Sequence, residues 1–103
     1  MTDVLAWLGG RTPTPPDDLR CRLEAAVEAE PTSGQRAGER VDVLEDAGVL
    51  RLDAAVARPG RERASAFELL LADALISYAC EAALEAEAPE EVLGRLVEVG
   101  RTR

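Results

Sequence analysis

Histidine, lysine and asparagine are all missing from this chain, and its aromatics are one Phe, one Trp and one Tyr. Each absence removes a chemistry. Without His there is no Ser–His or Cys–His pair to activate a nucleophile, and no imidazole ligand for a metal. Without Lys there is no Schiff-base amine and no phosphate-binding P-loop. So few aromatics cannot build a stacking platform for bases. Di-iron bundles need Glu-x-x-His on two helices, and no Asp-rich calcium loop is present either. The sequence therefore predicts no catalytic, metal-ligating or cofactor-binding residue, and a protein that is not an enzyme.

What is present is acid, arginine and alanine. Twenty acids face 12 bases, all of them Arg, for a formal net charge of −8. Arg without Lys or Asn reads as a GC-rich, bacterial coding bias; a salt-adapted surface is the alternative. The charge disfavours nucleic acid and anionic membrane as partners. Apolar residues make up 47% of the 103 positions, and alanine is the commonest of them. A core of that kind is thin, with helices packed closely on small side chains. The start, "MTDVLAWLGG", has an acid, no base and a short apolar run, which is not a secretory signal. A cytoplasmic protein with reduced Cys21 and Cys80 is expected.

Helix signals dominate the chain. Thr2 or Asp3 can cap a short first helix at 1–9, with Val4, Leu5 and Leu8 on one side and Trp7 beside them. A Pro-rich linker at 10–16 follows. Thr14 with Asp17, or a proline in the first turn, then starts a second helix carrying Leu19, Leu23, Ala26 and Val27 on one stripe. Thr32 with Gln35, or Ser33, can cap a third, with Val41, Leu44 and Ala47 inward and Gly48 as its C-terminal glycine. Residues 49–58 read as further helix rather than a strand, since no second β-like run exists to pair with them. Ser65 and Glu68 fit a capping box before the next helix. Pro89, Glu90 and Glu91 open the last, whose stripe is Val92, Leu93, Leu96 and Val97; a short connection makes these two an antiparallel hairpin. The expected fold is all-α: one domain, with 17–103 as a compact bundle of four or five helices around a central apolar helix at about 66–87.

That central stretch, "FELLLADALISYACEAALEAE", is the most apolar in the chain. A membrane helix needs about 20 residues with few or no charges. Here Asp73 and Glu81 leave only seven uncharged residues between them. Asp73, Ser77, Glu81 and Glu85 instead form one polar line along a helix. Leu71, Leu75, Tyr78 and Ala82 follow the 4-3-4 spacing of a packed seam. Leu69, Ala72, Ile76, Ala79 and Ala83 form a second. An ordinary surface helix has a single stripe little more than 100° wide, so this helix is central or carries a partner.

The remaining residues of interest have plainer readings. Cys80 lies among carboxylates in the second half of its helix and reads as a buried structural thiol; Cys21 reads as inert. Tyr78 reads as a packing or interface residue, and Trp7 as a docking anchor. Segment 40–63 loosely resembles the end of a winged helix, with "LEDAGVL", a strand and a Pro-Gly tip, and Arg51, Arg58, Arg61 and Arg63 form a basic patch there. The acidic chain argues against DNA binding, because phosphate contacts supply much of such affinity. Three functions stand in order. The first is a protein–protein interaction module, an accessory or adaptor subunit that pairs with a second copy or another protein through Leu71, Leu75 and Tyr78, with Trp7 and Leu8. The second is a bundle sensor holding an apolar small molecule near Tyr78 and Cys80. The third is a DNA-binding regulator using 40–63.

Overall fold

A computed structural model describes residues 3–31, 37–57 and 63–101. Those residues form five helices: α1 (Val4–Gly9), α2 (Asp17–Glu28), α3 (Ala37–Ala57), α4 (Arg63–Leu84) and α5 (Pro89–Arg101). No strand occurs among the described residues. The architecture is an all-α bundle with α3 and α4 at its centre.

Local chemistry sets most boundaries. Asp3 caps α1, its carboxylate accepting from the Ala6 N–H at 2.9 Å. No side chain caps α2. Pro16 precedes it in an extended conformation, and its carbonyl accepts from the Arg20 N–H at 2.8 Å. Asp17 and Asp18 then face the positive end of the helix dipole. Thr14 therefore does not cap α2, because the extended Pro16 stands between it and the first turn. Candidate caps at 32–36 lie outside the described residues. At the far end of α4, the Glu85 and Ala86 N–H groups bond back to Ala82 and Ala83, tightening its last turn. Pro89 starts α5 where a missing N–H costs nothing, with Glu90 and Glu91 behind it.

Two features depart from the sequence reading. The third helix does not stop at Gly48. It runs unbroken to Ala57, so 49–57 is helical, as expected, but as part of one long element. Gly48 serves a different purpose: a Cβ there would lie 2.9 Å from Ile76 Cγ1 and 3.3 Å from Leu75 Cβ. Its bare backbone is what lets α4 approach. Helix α4 also begins earlier than its capping signal. Ser65 lies inside the helix, and its buried hydroxyl has no hydrogen-bond partner, so Ser65 and Glu68 are not a capping box.

Helices α3 and α4 share more contact than any other pair. Gly48 meets Leu75 and Ile76, whereas Arg51 meets Glu68, so the two run antiparallel. α4 and α5, joined by the short connection 85–88, also pack on each other. The core is apolar throughout. Leu23 and Val27 of α2, Val41 and Leu44 of α3, and Leu75 of α4 are buried, with Val4 and Trp7 of α1 completing it and Val92 of α5 closing one side. Val97, expected in the last stripe, is exposed. No polar or charged residue is buried as a whole among those described.

Candidate functional site

The expected partner surface is largely internal. Leu71 and Leu75 are buried, and Tyr78 and Leu8 are half-buried at the core's edge. α1, α2 and α3 already occupy the seam assigned to a partner. Trp7 is buried too, and it does anchor α1 to the body. Its indole N–H reaches both Glu85 carboxylate oxygens, at 3.1 and 3.3 Å. Its ring meets Tyr78 edge-on, with centroids 6.3 Å apart. Arg11 closes the clasp, its guanidinium 4.4 Å from the Trp7 ring centroid and 2.9 Å from Glu85. The indole hydrogen bond holds the Glu85 carboxyl below its ordinary value, and Arg11 adds to this against partial burial. Tyr78 is pushed up by burial and by Glu81, with Arg11 opposing.

A small cavity lies beside this clasp, lined by Leu8, Thr14, Pro15, Leu23 and Tyr78 among others. It measures about 40 Å³, room for a few waters. Ligand sites start at roughly 300 Å³, so this cavity beside Tyr78 is well below that range. Nor does Cys80 line it: Cys80 is exposed, as is Cys21, and both are free thiols. The burial expected for Cys80 fails because it falls beside Asp73 and Ser77 on the outer side of α4, where all three are exposed.

Two residues of the basic patch are described. Arg51 pairs with Glu68 at 3.7 Å, and Arg63 is exposed at the start of α4; Arg58 and Arg61 lie outside the described residues. Residues 49–57, where a winged helix would need a strand, continue α3 instead. No described helix is long and apolar enough to cross a membrane. Among the described residues, no group of three or more His, Cys, Asp or Glu is placed to hold a metal.

Two other surfaces stand out. The first is apolar, where α3 finishes and α4 begins. Leu50, Val56, Leu69 and Leu70 are there 51%, 77%, 53% and 50% exposed. "LLL" at 69–71 carried the signal: successive helical residues point 100° apart, so Leu69, Leu70 and Leu71 cannot all face one core. Only Leu71 does.

The second is a groove among α2, α3 and α4, lined by Arg22, Ala25, Ala26, Arg51, Glu68 and Leu71. Arg22 lies over the Phe67 ring at 4.3 Å. Arg51 Nε and Glu68 Oε2 are shut off from water without a hydrogen-bond partner. Orphaned polar atoms of this kind cost about 1–3 kcal/mol each, more when charged. No local motif links these residues, which come from three helices.

Compared with known proteins, the chain matches no family model, no curated protein and no solved structure. Its functional reading rests on these surfaces alone.

Proposed function

We propose that the chain is a non-catalytic helical interaction module, an accessory or adaptor subunit, that pairs with a second copy of itself. The pairing surface is the end of the α3–α4 pair rather than the internal seam of Leu71 and Leu75. The observation that carries this reading is the exposure of Leu50 and Val56 in the second half of α3 and of Leu69 and Leu70 in the first half of α4, each half exposed or more. Covering one such side chain fully contributes roughly 1.5–3 kcal/mol.

A second copy suits the patch for a reason of symmetry. A two-fold contact sets the same residues against one another, which apolar side chains tolerate and like charges do not. Light scattering after size exclusion tests this over roughly 1–100 μM, where contacts worth about 5–8 kcal/mol dissociate. A dimer is expected, with Leu69→Glu and Leu70→Glu together shifting it to monomer while the helical content stays unchanged. A monomer at every concentration overturns the reading.

A further inference from the structure

The stretch "RTPTPP" joins α1 to α2 and takes no part in the pairing surface. Its prolines dictate its shape. Each fixes its own φ near about −65°, and the residue before a proline is pushed to extended geometry. Thr14 precedes Pro15, and Pro15 precedes Pro16. Pro16 stands at φ −55°, ψ 149°, within the scatter of a polyproline II helix. The cis peptide bond lies upstream, between Thr12 and Pro13. Residues 14–16 thus form one polyproline II turn, with Pro13 entering it and Asp17 leaving it.

A polyproline II helix is a three-sided prism, because it repeats every three residues. That spacing sets Pro13 and Pro16 on one edge, Thr14 and Asp17 on a second, and Pro15 on the third. Burial divides the edges. Pro15 is half-buried and lines the small cavity with Leu8, Leu23 and Tyr78. Thr14 borders the same cavity but stays exposed, as do Pro13, Pro16 and Asp17. A groove holds a three-sided prism by two edges and leaves the third behind. Here the third is the one already seated on the bundle. The strap is also stiff before anything binds it, so docking avoids much of the ordering cost that a flexible segment carries.

Charge narrows the partner. Arg11, at the start of the strap, is engaged by Glu85 at 2.9 Å. The other end carries Asp17 and Asp18, both exposed, with Arg20 3.3 Å from Asp17. A groove with an acidic rim would meet these carboxylates and a chain of net charge −8. We propose that Pro13, Thr14, Pro16 and Asp17 dock in a groove of a partner protein, lined by aromatic rings and carrying a basic side chain at the end that meets Asp17 and Asp18. This contact does not depend on the pairing of two copies.

The probe is a purified WW domain, whose groove for polyproline II strands is aromatic. It is prepared in two forms, with Arg or with Glu at the rim of the groove, and titrated into the isotope-labelled full chain under amide NMR. Saturable shifts are expected at Thr14, Asp17 and Asp18, with a Kd of about 1 mM or below. The Arg form should bind about 2–5-fold more tightly, the range of one exposed ion pair. Pro13→Ala and Pro16→Ala should each weaken binding by about 3–5-fold, as a fixed backbone angle is lost. Both positions are exposed, so helical content should not change. Leu69→Glu with Leu70→Glu should leave this binding as it was. No saturable shift with either form up to about 3 mM, past a weak millimolar site, overturns the proposal. Unchanged binding by the double variant Pro13→Ala and Pro16→Ala places the contact elsewhere and overturns it. Preference for the Glu form overturns it through the charge assignment, and loss of binding in the Leu69→Glu and Leu70→Glu variant moves the contact to the pairing surface and overturns it too.

Discussion

Gly48 and Gly94 each sit inside a helix, yet an added methyl group meets different surroundings. At Gly94 nothing lies within 4 Å of the new carbon. Gly94→Ala should therefore stabilise the fold by about 0.5–1 kcal/mol, the gain in helix propensity alone. At Gly48 the same gain meets Ile76 Cγ1 at 2.9 Å and the Ile76 backbone N at 3.4 Å. Overpacking costs about 1–3 kcal/mol, so Gly48→Ala should be destabilising by roughly 1 kcal/mol net. Urea unfolding of both variants checks the pair, and Ile76→Ala should relieve part of the Gly48→Ala penalty. Glu85 gives a pH prediction at the same scale. Its folded-state pKa is lowered chiefly by the Trp7 hydrogen bond. Its contribution is therefore present above the ordinary value of 4.5 and is lost as pH falls through the lower, folded value. Glu85→Gln should be less stable than the parent at pH 7, and that gap should close in acid. A gap that persists at low pH would mean that Glu85 acts through something other than its charge.

Among the elements, α3 carries the main electrostatic strain. Burial raises the pKa of Glu45, with Asp46 and Asp42 adding repulsion and Arg95 opposing it. Asp46 is raised by burial and by Asp42, and Glu30 by burial and by Asp46. Relief from α5 comes at long range, with Arg95 3.9 Å from Asp42. Raised carboxyls favour the folded state only while protonated, so their contribution fades as pH rises through their folded values. Asp46→Asn should thus raise stability at pH 7 by up to ~0.5 kcal/mol. The gain should vanish below about pH 3.8, where the parent carboxyl is protonated in both states. Thermal melts at the two pH values check this. The stripes of α1 and α2 were legible because each has one buried face: Leu23, Ala26 and Val27 are all inside. The length of α3 was not. A glycine near a plausible helix end looks like a terminator, and only the position of α4 shows that it is a crossing point. Likewise Ser65 and Glu68 have the spacing of a cap, but upstream residues extend the helix past them.

For the molecule as a whole, net charge decides how copies meet. Each carries −8, and such repulsion acts over about 10 Å at 0.1 M salt and ~30 Å at 0.01 M. If the apolar end pairs two copies, sodium chloride should strengthen the dimer between those concentrations, and analytical ultracentrifugation should follow it. Weakening by salt would mean that ion pairs, not Leu50, Val56, Leu69 and Leu70, hold the contact. The two candidate surfaces differ in how far sequence could reach them. Three consecutive leucines imply that some must face outward. Arg22, Arg51 and Glu68 carry no mutual spacing, and nothing short of three packed helices brings them together. The clasp at the other end has a practical consequence. Trp7 is the sole tryptophan, and it sits where α1 meets α4. Its fluorescence therefore gauges the seating of one short helix, while far-UV circular dichroism is dominated by α3 and α4. Two unfolding curves recorded on one sample would separate wherever the first helix lets go before the bundle melts, so the protein carries its own optical gauge of partial unfolding.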